Sequence, residues 1–177
     1  VGGDSHSPTG GAFGAYMFGI GATEMLGVVS TGEIWVQVPR TIRMDWRGRL
    51  PPGLCAKDMM LAMIGRFGMN GGAYQAVEFA GEAVRALPMG ERMTLANMSA
   101  ELGAQVGLVA PDETTRRWLA AHGVTDVAID AWQSDEGSAD EVHVFDVATL
   151  APQVAAPHSP ANAADVARHA GTRVDVA

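Results

Sequence analysis

Asp4-Ser5-His6 sets a carboxylate, a hydroxyl and an imidazole side by side in a glycine-flanked loop. Such a set can bind a carboxylate ligand and share a proton with it. Adjacent residues do not normally form the hydrogen-bonded chain of a nucleophilic triad, so attack by Ser5 is the poorer chemistry. A loop-capping aspartate beside a surface histidine is the plain structural alternative. Asn97 and Glu101 form the second set. On a helix a spacing of four puts both on one face, and that face otherwise carries Met93, Leu95, Met98 and Leu102. A carboxylate in apolar surroundings needs a partner. Glu101 therefore either pairs with Arg92 or Arg85 or serves a ligand. Glu78 and Glu82, around Phe79-Ala80-Gly81, are a third acidic pair with the same two readings. His158 lies between stiff neighbours in Pro157-His158-Ser159-Pro160, which suits a positioned imidazole or an ordinary turn.

Other chemistries are excluded by what the chain holds. Cys55 is its one cysteine, so it can build no internal disulfide, zinc ribbon or iron–sulfur cluster by itself. His122, His143 and His169 are too scattered for metal-ligand spacing, and no metal ligand is expected. Gly19-Ile20-Gly21 is no dinucleotide fingerprint, because Glu24 stands where the third glycine belongs. Twenty acidic against twelve basic side chains give a charge of -8, and of the twelve only Lys57 is a lysine. A nucleic-acid partner is not expected on that balance. With 47% hydrophobic and 18% charged residues the chain is a folded domain, not a disordered one. It contains no uncharged apolar run of about 18 residues and opens without a signal peptide, so neither membrane nor secretion is expected, and the compartment is cytoplasmic. Val1 is not a natural start residue, so truncation upstream is expected.

The elements that must hold these residues follow from patterning. Residues 2–32 mix glycine with Phe13, Tyr16, Phe18, Ile20, Met25 and Leu26, which predicts two short, tightly packed helices after a polar loop. Ile34 to Val38 and Thr41 to Trp46 read as strands, the second with Ile42, Met44 and Trp46 alternating with polar residues. Lys57 to Phe67 reads as a buried helix closed by Gly68. A strand over Ala73 to Phe79, a short helix over Glu82 to Leu87 and a longer one over Arg92 to Gln105 follow. A short strand at Leu108-Val109 leads to a helix opened by Pro111-Asp112-Glu113. Ser134 to Glu141 is an acidic loop, Val142 to Val147 a strand, Ala163 to His169 a weak helix, and Val174 to Val176 a strand beginning. Alternating strands and helices define an α/β fold, a mixed or parallel sheet flanked by helices in three layers.

Taken in order, a series of segments resembles the aconitase superfamily. It comprises Gly3-Asp4-Ser5-His6-Ser7-Pro8-Thr9-Gly10-Gly11-Ala12-Phe13-Gly14, Phe18-Gly19-Ile20-Gly21, Leu50-Pro51-Pro52-Gly53 with Ala56-Lys57-Asp58, and Val77-Glu78-Phe79-Ala80-Gly81-Glu82. It continues through the segment from Arg92-Met93-Thr94 to Glu101-Leu102-Gly103-Ala104 and through Pro111-Asp112-Glu113-Thr114, with a fainter echo at Pro157-His158-Ser159-Pro160. The series is most similar to the large subunits of 3-isopropylmalate dehydratases. The resemblance implies part of a hydro-lyase that removes and re-adds water on a hydroxy di- or tricarboxylic acid such as isopropylmalate, in leucine biosynthesis. It implies a [4Fe-4S] cluster in the complete enzyme, with ligand cysteines in segments after this one, so that the chain alone holds no cluster and is inactive. A small subunit carrying the swivelling domain is the implied partner.

By the same resemblance Asp4 and His6 belong around the leaving oxygen, Ser5 contacts a substrate carboxylate, and Asn97 and Glu101 hydrogen-bond the hydroxyl. His158 is carried as a further substrate-binding candidate. The implied domains are the end of one aconitase-type α/β domain (1–32), a second whole domain (33–150) and the lead into a third (151–177). The rival reading from another class is a stand-alone module that binds dicarboxylates or docks a subunit without catalysis.

Overall fold

The computed structural model describes residues 1–129 and 132–175. Four strands form one parallel sheet in the order β3-β2-β1-β4: β1 (Thr41–Arg47), β2 (Ala76–Ala80), β3 (Val106–Val109) and β4 (Glu141–Asp146). β1 alternates as its sequence demands, burying Ile42, Met44 and Trp46 while Thr41, Arg43 and Asp45 face the other way. Its buried face meets helix α2 (Ala56–Phe67), whose Met59, Met60, Met63 and Ile64 share one core with Val77 and Phe79 of β2. Methionine fills the irregular space between helix and twisted sheet without a fixed shape of its own. β2 is buried from Ala76 to Phe79, as befits a strand flanked on both sides in a parallel sheet. β4 is the edge, half open to solvent, held to β1 by Phe145 stacked on Trp46 at 4.3 Å.

Helices α3 (Glu82–Ala86), α4 (Met89–Asn97) and α5 (Glu113–Ala121) complete the unit. Asp112 caps α5 by accepting from Thr114 and Thr115, the role its position before Glu113 predicts. A small antiparallel pair, β5 (Gln153–Ala155) with β6 (Ala163–Asp165), packs along α2. No described helix is long and apolar enough to cross a membrane.

Several expectations are corrected. Ile34 to Val38 is no strand: Trp35 and Val38 are 87% and 89% exposed, and no described neighbour gives that segment a ladder. Helix α1 (Ala22–Thr31) forms but buries none of its residues, so it is not tightly packed. The helix predicted over Arg92 to Gln105 starts earlier and stops at Asn97. Ser99 Oγ donates to Ala96 O at 2.7 Å, Gly103 takes a left-handed φ of +78°, and the chain descends through turns rather than helix. Ala163 to His169 splits into β6 and a 3₁₀ turn, because Gln153, Val154 and Ala155 offer it a strand partner. Part of the strand beginning expected at Val174 to Val176 lies outside the described residues, and Val174 itself is in no strand.

The front loop reaches the sheet through a 3₁₀ helix, Ser7–Phe13, that packs on β3 and α4. Contact there is backbone to backbone: a Cβ added at Gly11 would stand 1.8 Å from the carbonyl oxygen of Gly107 in β3. Gly11→Ala is therefore expected to cost about 1–3 kcal/mol and to lift the loop off the sheet. A lower urea midpoint together with a changed His6 imidazole resonance would report both effects.

Candidate active site

Asp4 organises the loop before anything else. Its Oδ1 accepts the His6 N–H at 2.7 Å and its carbonyl accepts from Ser7 Oγ at 2.7 Å, closing a tight turn that aims the imidazole inward. Pro8 then stands in the first turn of the 3₁₀ helix. The structure thus gives Asp4 the loop-capping part that its sequence position allowed, and leaves its second oxygen without a partner among the described residues.

His6 meets Glu101 across 95 positions of chain: Nε2 lies 2.9 Å from Oε1. On its other side Nδ1 lies 3.0 Å from Ser5 Oγ. Against a carboxylate, Nε2 must carry the proton. Nδ1 then accepts from the Ser5 hydroxyl when the ring is neutral and donates to it when the ring is charged, so the hydroxyl reverses with protonation. The hydrogen bond to Glu101 raises the His6 pKa above the ordinary value of 6.5; partial desolvation opposes this, and the charges of Glu101 and Asp4 add to it. The second Glu101 oxygen, Oε2, is buried and has no hydrogen-bond partner among the described residues. An acceptor in that state costs free energy unless a donor reaches it.

Asn97 closes the set. Its amide Nδ2 donates to Thr9 Oγ1 at 2.9 Å, and Thr9 Oγ1 donates to the His6 carbonyl at 2.7 Å, so α4 and the loop are tied together. Asn97 and Glu101 do line one open cleft, of about 480 Å³, although not as neighbours on one helix face. Asn97 ends α4, and Glu101 stands in the turns that follow. Neither arginine expected as a partner of Glu101 takes it. Arg92 is fully buried against Asp112, and Arg85 makes no ion pair among the described residues.

The remaining candidates separate from this cleft. Ser5 does not line this cleft but another depression, with Tyr74 and Gln105. Glu78 is buried in an ion pair with Arg43, and Glu82 accepts the Gly48 N–H at 3.3 Å, so that acidic pair is structural. His158 is exposed on the β5–β6 connection, where Ser159 Oγ donates to Met69 Sδ just past the far end of α2. The cleft lies at the opposite end of that helix, about 18 Å away for twelve residues. The structure does not bring His158 to it. Two residues went unassigned from sequence. Thr9 sits three positions after His6, the spacing of a hydroxyl bonded back to a carbonyl. Lys57 is marked only by being the single lysine, and it lines the cleft beside Asn97 and Glu101.

The fold and the cleft together define an α/β unit that carries a proton-sharing imidazole–carboxylate pair with an amide beside it. The profile of the Aconitase family (aconitate hydratase) matches residues 1–176. Among curated relatives, a probable 3-isopropylmalate dehydratase large subunit from Methanosarcina mazei is 40% identical over 177 residues, covering 99% of this chain and 42% of its own length. A probable methanogen homoaconitase large subunit from the same organism is 42% identical over 175 residues, 99% of this chain and 44% of its own. The 3-isopropylmalate dehydratase large subunit of Halothermothrix orenii is 38% identical over 177 residues, 100% and 42%. The chain belongs to the aconitase family, and it spans about two-fifths of the length of these relatives.

Proposed function

We propose that this chain supplies the acid–base half of the site in a hydro-lyase large subunit that dehydrates a hydroxy dicarboxylic acid such as isopropylmalate. One observation carries the reading: His6 Nε2 lies 2.9 Å from Glu101 Oε1 across 95 positions of chain, and Glu101 lines a cleft with Asn97. Eliminating water breaks a C–O bond, and the departing oxygen needs a proton to leave as water rather than hydroxide. The His6 imidazolium, kept protonated by Glu101, is the donor. Glu101 and the Asn97 amide oxygen, on residues that line the cleft, are the acceptors that orient the hydroxyl being lost. Asp4 holds the loop that aims His6, and Ser5 reaches a substrate carboxylate while relaying protonation through Nδ1.

The relatives named for isopropylmalate and homoaconitate share the residues of this stretch at about 40% identity, which supports a common hydroxy-acid core rather than a choice of side chain. A small subunit is the assembly partner that their designation as large subunits supports. The proposed domains are the end of one α/β domain (1–32), a second domain (33–150) and the lead into a third (151–177).

A [4Fe-4S] cluster belongs to the complete enzyme of this family, where it would act as Lewis acid on the hydroxyl. Its ligands are expected from outside this stretch, because a single cysteine cannot hold such a cluster. Cys55 Sγ is turned to Asp58 Oδ2 at 3.3 Å at the start of α2, and no group of three or more His, Cys, Asp or Glu is placed to hold a metal among the described residues.

The expected outcome is that the 177-residue chain, reconstituted anaerobically with iron and sulfide, shows no dehydration of isopropylmalate. The full-length large subunit with its small subunit turns over, and His6→Ala or Glu101→Ala each lowers kcat by about 10²–10⁴. Turnover by the isolated chain, or wild-type kcat in both variants, would sink the reading.

A further inference from the structure

A dicarboxylate brings two negative charges to a chain of net charge -8, and the cleft wall already carries Glu101. His6, the nearest cation when protonated, is committed to that carboxylate at 2.9 Å. The strongly held arginines are spent elsewhere: Arg92 on Asp112, Arg43 on Glu78. Lys57 is different. It is the one lysine of the chain, it stands in the first turn of α2, and it is the single Lys or Arg lining the cleft with Thr9, Asn97 and Glu101.

Structural partners are close at hand and are not used. Asp58, next in sequence, takes the N–H of Cys55 at 2.9 Å and that of Gln153 at 2.8 Å. Glu91 of α4 takes the backbone N–H of Ala56. The Lys57 ammonium makes no ion pair or hydrogen bond among the described residues. A lysine serving the fold would be expected to close one of these pairs; this one is left exposed at the mouth of the cleft. The first turn of a helix also carries positive potential, which adds to the ammonium in the same direction.

We propose that Lys57 is the carboxylate-receiving residue of this cleft: its ammonium binds one carboxylate of a hydroxy dicarboxylate whose hydroxyl lies toward His6, Asn97 and Glu101. The inference rests on the dicarboxylate reading above and adds the group that draws the ligand in and fixes which end faces His6. Lys57 acts on binding and orientation, and no proton passes through it.

The single lysine also gives the test. Reductive ¹³C-methylation of this chain labels Lys57 and the terminal amine alone, the two assigned by the signal lost in Lys57→Gln, and keeps the lysine charge. Malate is titrated in at constant ionic strength while the Lys57 dimethyl signal and the His6 imidazole signal are followed, with sulfate as the control anion. Both signals are expected to move with one saturating curve, at an affinity on the order of millimolar. Lys57→Gln weakens the affinity read at His6 about tenfold, the loss of one charge-assisted hydrogen bond, and Lys57→Arg restores most of it. Movement of His6 with a stationary Lys57 signal, or unchanged affinity in Lys57→Gln, overturns the assignment of Lys57 and leaves the cleft reading standing. Lys57 moving equally with sulfate also overturns it. If neither signal moves, the dicarboxylate reading of the cleft falls together with it.

Discussion

Arg92→Ala is expected to destabilise the chain by about 3–5 kcal/mol, the usual cost of removing one partner from a buried, hydrogen-bonded ion pair. Arg92 is 0% exposed. Its guanidinium makes four hydrogen bonds: Nη1 and Nη2 donate to the two oxygens of Asp112 at 2.8 and 2.7 Å, Nη2 also to Arg85 O at 2.8 Å, and Nε to Leu87 O at 3.0 Å. Alanine leaves two carbonyls and a carboxylate facing a cavity, and lysine cannot reproduce the planar fork. The same contacts join α4 to the start of α5, so the helix that ends in Asn97 loses its anchor.

Asp112 adds an acid limb to this prediction. Burial opposes its ionisation, but the hydrogen bonds and charge of Arg92, with the N–H groups of Thr115 and Thr114, outweigh burial and hold the carboxyl below its ordinary value of 3.8. A depressed carboxyl stabilises the fold above its unfolded pKa and loses that contribution as pH falls through the folded one. Urea unfolding near neutrality and under acid should therefore show the Arg92→Ala loss shrinking as Asp112 protonates. A loss below about 1 kcal/mol near neutrality would mean that water satisfies these groups.

Where a residue's surroundings are set by its own element, they could be read from the sequence. The alternation of Ile42, Met44 and Trp46 and the buried run of α2 with Gly68 at its end appear as predicted. Asp112 at the head of α5 does too. The reading failed where burial did not follow hydrophobicity. Trp35 and Val38 are apolar yet exposed, so no ladder forms there. Beyond Asn97 apolar residues persist, and Leu102 is indeed buried, but it is buried by turns. Gly107 packs so closely on Ser99 that a Cβ there would come within 2.7 Å of the Ser99 Cβ, and that approach favours turns over a continuing helix. The site was half legible for the same reason. Composition and spacing named Asp4, His6, Asn97 and Glu101 as candidates, but left Glu101 open between an arginine and a ligand. A contact spanning 95 positions leaves no local trace, and only the family resemblance joined the two halves.

That long-range contact sets the second large effect. Wild-type His6 is expected to titrate above 6.5, and Glu101→Gln to lower its midpoint, because the largest cause of the rise is the hydrogen bond to Glu101. Asp4→Asn should lower it less, its charge being the smallest contribution. The sign of the linked stability follows. A histidine whose folded pKa is raised contributes fully below its unfolded value of 6.5 and loses that contribution as pH rises through the folded pKa. Glu101→Gln should then destabilise the chain most in mild acid, with the difference from wild type narrowing toward alkaline pH. Glutamine still accepts a hydrogen bond but holds no charge, so a neutral His6 barely notices the change while an imidazolium does. Titration of the imidazole resonances by NMR, with His6 assigned by its loss in His6→Gln, and urea unfolding on both sides of pH 6.5 measure the two effects. An unmoved midpoint in Glu101→Gln would mean that the pair does not hold the proton on which the proposed acid step depends.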